Sequence, residues 1–348
     1  MKKVILGTTA LVAASAVAAG SASAAEAIKL DLGGYLQSSF VVADYDKGDQ
    51  LPTDVRHEGE VHFTGSTVLD NGLEFGVNIQ LEAYTAGDQI DETYMFVQGS
   101  FGRVNVGSEN SAAYLMHYAS PDPVIAWSLN DPNAEAAGFT TPSTAPTEQS
   151  DADKITYFTP RFSGFQFGAS YTPDSDKETG GAADASDPIL NEGARDEAYS
   201  IAVNYTNTFN EVSVKASAGY DILTSSTADD IEEISLGAQF GVAGFTFGGA
   251  WKRTENDSGI NDRQRDDYNV GVTYGQGPWQ VGVQYARVEL DDAVDGTLDA
   301  VVVGGNYVLG PGITAFGGVQ FFNGEDALVG ASGSEDATVF FVGTALSF

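Results

Sequence analysis

A two-residue alternation of apolar and polar side chains, sustained for about ten residues at a time and restarted after every turn, constrains this chain more than any other feature. Leu30, Leu32, Leu36, Phe40 and Val42 share one face of the first segment, and Lys29, Asp31, Gln37 and Ser39 share the other. Val61, Phe63 and Leu69 alternate with Glu60, His62, Thr64 and Ser66. After Asp70-Asn71-Gly72, Leu73, Phe75, Val77, Ile79 and Leu81 alternate with Glu74, Asn78, Gln80 and Glu82. Side chains repeat every two residues only along a strand, and Asn-Gly between alternating runs is the turn of a tight hairpin.

The pattern recurs near 91–101, 102–108, 154–160, 165–173, 197–207, 211–221, 232–241, 245–254, 266–275, 279–288, 298–309, 313–323 and 336–348. With the first three segments this predicts sixteen strands. The connections alternate between short ones, such as Arg161–Gly164 and Gly241–Gly244, and long ones rich in Asp, Gly, Ser and Thr. A β-sandwich or propeller would not keep one class of loop uniformly short beside strands this long. Strand-spanning membrane barrels do: turns are short on one side and loops long on the other. Aromatic residues collect at two levels, with Phe101, Phe162, Phe165, Trp279 and Phe348 beside short turns and Tyr84, Tyr171, Tyr199, Trp251 and Tyr285 near long loops. That is the placement of interfacial belts. The fold class read here is a sixteen-stranded antiparallel up-and-down transmembrane β-barrel.

Bulk properties agree with this architecture. Mean hydropathy is -0.12, with 42% hydrophobic residues, because alternating faces cancel in any average. Beyond residue 24 no apolar run reaches the roughly 20 residues of a membrane helix. Before it, Lys2 and Lys3, the apolar run from Val4 to Gly20 and the small residues Ala22-Ser23-Ala24 read as a secretory signal peptide over 1–24. The mature chain, 25–348, is then one barrel domain. Cysteine is absent, which excludes disulfides and thiolate chemistry. Asp plus Glu number 49 against 16 Lys plus Arg, which argues against nucleic acid as a partner and for cations near the surface.

The last strand carries Phe340, Val342, Leu346 and the terminal Phe348 on one face. It is similar to the C-terminal signal read by the barrel-assembly machinery. Together with Leu73-Glu74-Phe75-Gly76 and Gly99-Ser100-Phe101-Gly102, it makes the whole mature chain resemble the Gram-negative general porins of alphaproteobacteria. The resemblance implies a homotrimer in the outer membrane, contacts with outer-membrane lipid and lipopolysaccharide, and passive diffusion of small hydrophilic solutes and ions. It also implies that the third extracellular loop folds inward as a pore constriction.

By strand count that loop runs from about Ser108 to Asp153, and it is the longest connection. Loops of such length in compact architectures are commonly functional. Glu109, Asp122, Asp131 and Glu135 are its candidate eyelet acids, and Ser111 to Met116 reads as a short helix. The alternation directs Arg56, Arg103, Lys154, Lys215 and Lys252 inward, along with Glu58, Glu60, His62, Glu74 and Glu82. The dense arginine ladder of the resembled family is not evident, and a wall of carboxylates shifts the expectation toward cation preference. Mid-strand outward Val77 and Val283 are expected to resist Arg, and their inward neighbours Asn78 and Gln284 to accept it.

No catalytic signature is present: His57, His62 and His117 form no H-E-x-x-H, and there is no G-x-S-x-G elbow or Walker loop. The chain is read as no enzyme and without a cofactor. Asp44 to Asp49 resembles a calcium loop only weakly, and divalent cations bridging acidic loops stay open on charge grounds alone. Two alternatives to a general pore remain at this level: a substrate-specific channel, and a barrel enzyme or adhesin acting through its long loops.

Overall fold

A computed structural model describes residues 26–46, 52–83, 89–130, 139, 142–175, 197–226, 228–260, 262–292, 295–326, 328 and 334–348. The signal peptide expected over 1–24 lies outside them. The described residues form sixteen strands: β1 Asp31–Tyr45, β2 Thr53–Val68, β3 Glu74–Glu82, β4 Thr93–Gly99, β5 Gly102–Ser108, β6 Asp153–Phe158, β7 Phe165–Thr172 and β8 Ala198–Phe209. They continue as β9 Val212–Leu223, β10 Ile231–Val242, β11 Phe245–Glu255, β12 Gln264–Gln276, β13 Trp279–Asp291, β14 Gly296–Gly310, β15 Ile313–Asp326 and β16 Ser334–Ser347. Each pairs antiparallel with its neighbours in sequence, and β1 pairs β16 to close the barrel. Closure extends to the final residue, where Gly34 and Phe348 exchange backbone bonds of 3.0 and 3.1 Å. A closed ladder leaves no unpaired edge, which is what lipid demands of a strand.

The tight turns follow from local backbone preferences. Ala243-Gly244, between β10 and β11, has φ of 51° and 88°, the two positive values of a two-residue hairpin turn. In the first hairpin Gly72 takes φ 81° and the Asn71 side chain accepts from the Leu73 amide at 3.1 Å. Several strands run past the end of their apolar alternation toward the long loops. In β14 the ladder begins at Gly296 rather than 298, pairing with Leu290 of β13, and outward rim residues there meet by charge: Arg287 on β13 meets Asp299 on β14 at 2.8 Å.

The outer face is apolar, with Val55, Ile155, Phe247, Val270 and Val342 exposed on it. Aromatic pairs mark the short-turn end, Phe165–Tyr205, Phe245–Tyr274 and Trp279–Tyr307 having ring centroids 4.3–4.7 Å apart. At the other end tyrosine and tryptophan reach up to rim acids: Tyr199 to Glu197 at 2.7 Å, Tyr220 to Glu232 at 2.7 Å, Trp251 to Asp266 at 2.8 Å. An apolar ring with a polar tip satisfies both sides of a lipid–water boundary.

The inner face departs from the expectation that lumen positions are polar. On β13 to β16 and β1 it carries Val288, Leu298, Ala300, Val302, Phe316, Phe322, Val339, Phe341 and Val41, all buried in one apolar cluster. Their cover is the loop between β5 and β6, whose Val124, Ala126, Trp127, Leu129 and Phe139 belong to the same cluster. The principal core of this molecule therefore lies inside the barrel, between wall and loop.

Candidate functional site

The loop enters the barrel at the end of β5 and follows the inner wall strand by strand. A one-turn helix, α1 (Ala112–Leu115), is capped by Ser111, whose hydroxyl accepts from the Tyr114 amide at 3.2 Å and donates to Asp221 of β9 at 2.7 Å. The first helical amides would otherwise be orphaned. The Ala112 amide donates to Ser170 of β7 and the Ala113 amide to Ser200 of β8, both at 2.9 Å. The chain then passes Ser217 (β9), Gln239 (β10), Asn269 (β12), Gln280 (β13), Asn306 (β14) and Gln320 (β15), each with a bond of 2.8–3.0 Å to a loop backbone group. Irregular backbone away from bulk water must find such partners. The inward polar residues of β7 to β15 are largely the acceptors and donors of this loop.

Close approach needs small residues on the wall. A methyl group on Gly219 would stand 2.7 Å from Ala113 Cβ, one on Gly282 3.1 Å from Pro123, and one on Gly237 would collide with the Tyr118 carbonyl. Mid-strand glycine often marks such an approach of a second backbone. The tip is fixed by Trp127, 5% exposed, which stacks on Phe341 at 5.3 Å and 12° and donates to Ser39 of β1 at 2.9 Å.

The return limb lies on β12, β10 and β7. The Ser143 amide donates to Asp267, and the Thr147 and Glu148 amides both donate to Glu233, each at 3.0 Å. Thr172 reaches Gln149 at 3.2 Å. Lys154 and Lys252 point inward as the alternation requires, but each is 3% exposed beneath the loop. Lys154 donates to the carbonyls of Glu109, Ser150 and Ala152, and Lys252 pairs with Glu233 at 3.0 Å. The charge of Lys154 is met by loop carbonyls and that of Lys252 by the buried Glu233 of β10. Gln284, expected to accept Arg, is fully buried, accepts from the Leu129 amide at 2.7 Å and donates to Ser120 at 2.9 Å. That expectation is corrected: inward here means packed, not wet.

The inner wall that the loop does not follow is β2 to β5 with the Tyr35–Gln37 end of β1, since Ser39 and Val41 of β1 lie against the loop. Tyr35 donates to Glu58 and Glu60, both at 2.8 Å, Gln37 donates to Glu58 at 2.5 Å, and His62 meets Glu60 at 2.6 Å. Carboxylate oxygens of Glu60, Glu82 and Asp91 lie within 4.8 Å of one another. Nearer the short turns, Gln98 donates to Glu74 at 2.6 Å, and Arg103 lies 3.8 Å from the Phe96 ring centre and donates to Asn105 at 2.7 Å. Arg56 lies 5.7 Å from the Trp127 ring and Lys215 5.3 Å from the Tyr118 ring, so two of the inward bases sit against the loop.

Of the loop acids expected to face the passage, Asp131 and Glu135 lie outside the described residues. Asp122 accepts from Ser128 at 2.8 Å and Asn130 at 2.7 Å, and burial holds its carboxyl above the usual range against those bonds. Glu109 is 5% exposed at the root of the loop, and burial pushes its carboxyl up to about 7, opposed by the Tyr94 hydroxyl and the Asn110 amide. Beside it Glu92 is pushed up to about 9 by burial and then by the carboxylates of Glu109, Asp91, Asp151 and Glu60. Sequence reasoning did not single out Asp91, Glu92, Trp127 or Glu233. The inward glycines and the two-faced apolar runs Ala300–Val303 and Val339–Val342 were the available signals of a packed lumen.

Residues 7–327 match a family model described as Gram-negative porin. A monosaccharide porin of Halomonas sp is 26% identical over 94% of this chain and 96% of its own length. The chitoporin of Vibrio furnissii is 26% identical over 59% of this chain and 57% of its own. Among solved structures, an anion-selective porin from Comamonas acidovorans has a TM-score of 0.64 at 17% identity, covering 92% of this chain and all of that one. The trimer form of OmpT from Vibrio cholerae has a TM-score of 0.61 at 14% identity, covering 93% and 100%. At these identities the two structures speak for the fold alone.

Proposed function

The chain belongs to the Gram-negative porin family, an outer-membrane channel for small solutes, and from that premise we propose that it conducts cations in preference to anions through a passage along β2 to β5. One observation carries the reading: the wall that the loop leaves open presents Glu58, Glu60, Glu82 and Asp91, while Lys154 and Lys252 are sealed beneath the loop. Carboxylates on one side of a narrow aqueous passage lower the energy of cations and raise that of anions. The fold is shared with an anion-selective porin, so selectivity has to be read from these side chains. The loop, seated on the opposite wall, narrows the passage, with Glu109 at its root and Asp122 stapling its middle.

Liposome swelling tests this reading. Uncharged sugars should enter at rates that fall with size and do not saturate, and basic amino acids faster than acidic ones of equal size. Saturable entry of one sugar would favour the substrate-specific alternative, which the Halomonas and Vibrio relatives' names suggest. Equal rates for acidic and basic solutes would contradict the cation preference.

The proposal includes a homotrimer. Strands β4 to β7 have only six to eight residues, fewer than the roughly 9–11 of a spanning strand. Among the described residues, the outward positions near the long-loop ends of β2 to β6 include neither Tyr nor Trp. A sector that is short and lacks a belt is suited to protein neighbours rather than lipid, and copies of this chain are the neighbours proposed. The exposed outward stripe Phe340, Val342, Leu346 and Phe348 is proposed as the signal for the barrel-assembly machinery. The rim acids above the aromatic belt are proposed to meet lipopolysaccharide through divalent cations.

A further inference from the structure

Glu233 of β10 is fully buried and belongs to no part of the open passage. Its Oε2 accepts the Thr147 and Glu148 amides at 3.0 Å each, and its Oε1 accepts Lys252 Nζ at 3.0 Å and the Thr254 hydroxyl at 3.3 Å. Lys252 also reaches the Thr147 hydroxyl at 3.4 Å. A buried ion pair is a poor source of stability, because apolar residues of similar volume commonly do as well or better. Stability alone therefore does not account for this one. Its distinctive feature is directional: one carboxylate oxygen is turned to the wall and the other to two backbone amides of the return limb. Bonds from amides to a carboxylate are shorter and roughly twice as strong as neutral ones, and Lys252 supplies the counter-charge at 3.0 Å. Asp267 repeats the device two strands away, bonded to the Ser143 amide at 3.0 Å and to Arg265 at 2.8 Å.

We propose that Glu233, paired with Lys252, is a positioning residue that clamps the return limb of the loop and so sets the cross-section of the passage. The inference rests on the reading that the loop narrows the passage, and its test separates the two. Single-channel recordings compare wild type, Glu233→Met with Lys252→Met, Glu233→Gln with Lys252→Met, and a deletion of 124–139. Folded barrels are verified by heat-modifiable migration on gels. The Met pair keeps volume and removes both charges, yet leaves the loop amides without an acceptor. It should assemble, shift to a higher mean conductance and lose the single quiet level. The Gln variant keeps an acceptor oxygen for the loop amides without the charge and should fall between wild type and the Met pair. A Met pair that assembles and conducts quietly at the wild-type level overturns the inference, provided the deletion raises conductance. If the deletion leaves conductance unchanged, the narrowing role of the loop fails, and the inference with it. Should the Met pair not assemble, Thr147→Pro removes one donor from the loop side with the wall intact and carries the same expectation.

Discussion

Replacing Trp127 by Ala should unseat the tip of the loop without opening the barrel. The indole is nearly enclosed, stacked on Phe341 at 5.3 Å and bonded to Ser39 at 2.9 Å. Truncating such a side chain costs about 3–5 kcal/mol, of which roughly 0.5–1.5 is the ring stack and about 1 the hydrogen bond. None of it falls on the strand ladder, so the loss is borne by the docking of the loop. At about 1.4 kcal/mol per factor of ten, the unseated population rises by roughly two to nearly four orders of magnitude. Planar-bilayer recordings should show larger mean conductance and frequent transitions between levels, with folding yield unchanged. Trp127→Phe keeps the stack and loses only the hydrogen bond, so its effect should be far smaller. Wild-type conductance and noise in Trp127→Ala would refute the reasoning, since they would mean that the apolar cluster does not hold the loop.

Raising pH should loosen the loop root. Burial holds Glu109 up to about 7 and Glu92 up to about 9. A group raised on folding contributes stability that is full below its unfolded value and lost as pH rises through the folded one. Channel noise should therefore grow as pH rises from about 4.5 and level off above about 9, and Glu92→Gln with Glu109→Gln should flatten that profile. Val283→Arg, on the outer face, should cost roughly 2–4 kcal/mol in urea titrations of folding into liposomes. Gln284→Leu, one residue away, should instead strand the Leu129 amide, cost about 1–3 kcal/mol and be read in channel noise. Gly237→Val drives a side chain into the Tyr118 carbonyl and should displace the middle of the loop, changing conductance while the barrel still forms.

The barrel was legible because its period is imposed at every residue: lipid on one face and a different environment on the other leave a two-residue record from Leu30 to Phe348. The direction of each inward side chain followed from the same parity, so Arg56, Glu58, Glu60, Glu82 and Lys252 lie where the alternation directs them. What covers them did not follow. Lys252 and Arg103 have the same parity, yet one is sealed under the loop and the other lies against Phe96, because burial inside a barrel depends on where a distant loop lands. The course of that loop is recorded weakly, in inward glycines such as Gly237 and in Ala300–Val303, where both faces are apolar. Such signals acquire meaning only when the inner wall has something to pack against. The carboxylate cluster joins Glu60 and Glu82 of adjacent strands with Asp91, which lies before β4, and no local pattern announces that meeting.

The central claim is that the open wall of β2 and β3 sets the sign of ion selectivity. The zero-current potential across a planar bilayer separating dilute from concentrated KCl measures it. Exposed charges farther than about 10 Å from the ion path are screened at 0.1 M salt, so the lumen carboxylates should decide the sign. The account predicts a cation-preferring potential that weakens as salt rises and moves toward zero in Glu58→Gln, Glu60→Gln, Glu82→Gln. An anion-preferring potential in dilute KCl would contradict it, and would place control with Arg56, Arg103 and Lys215 instead.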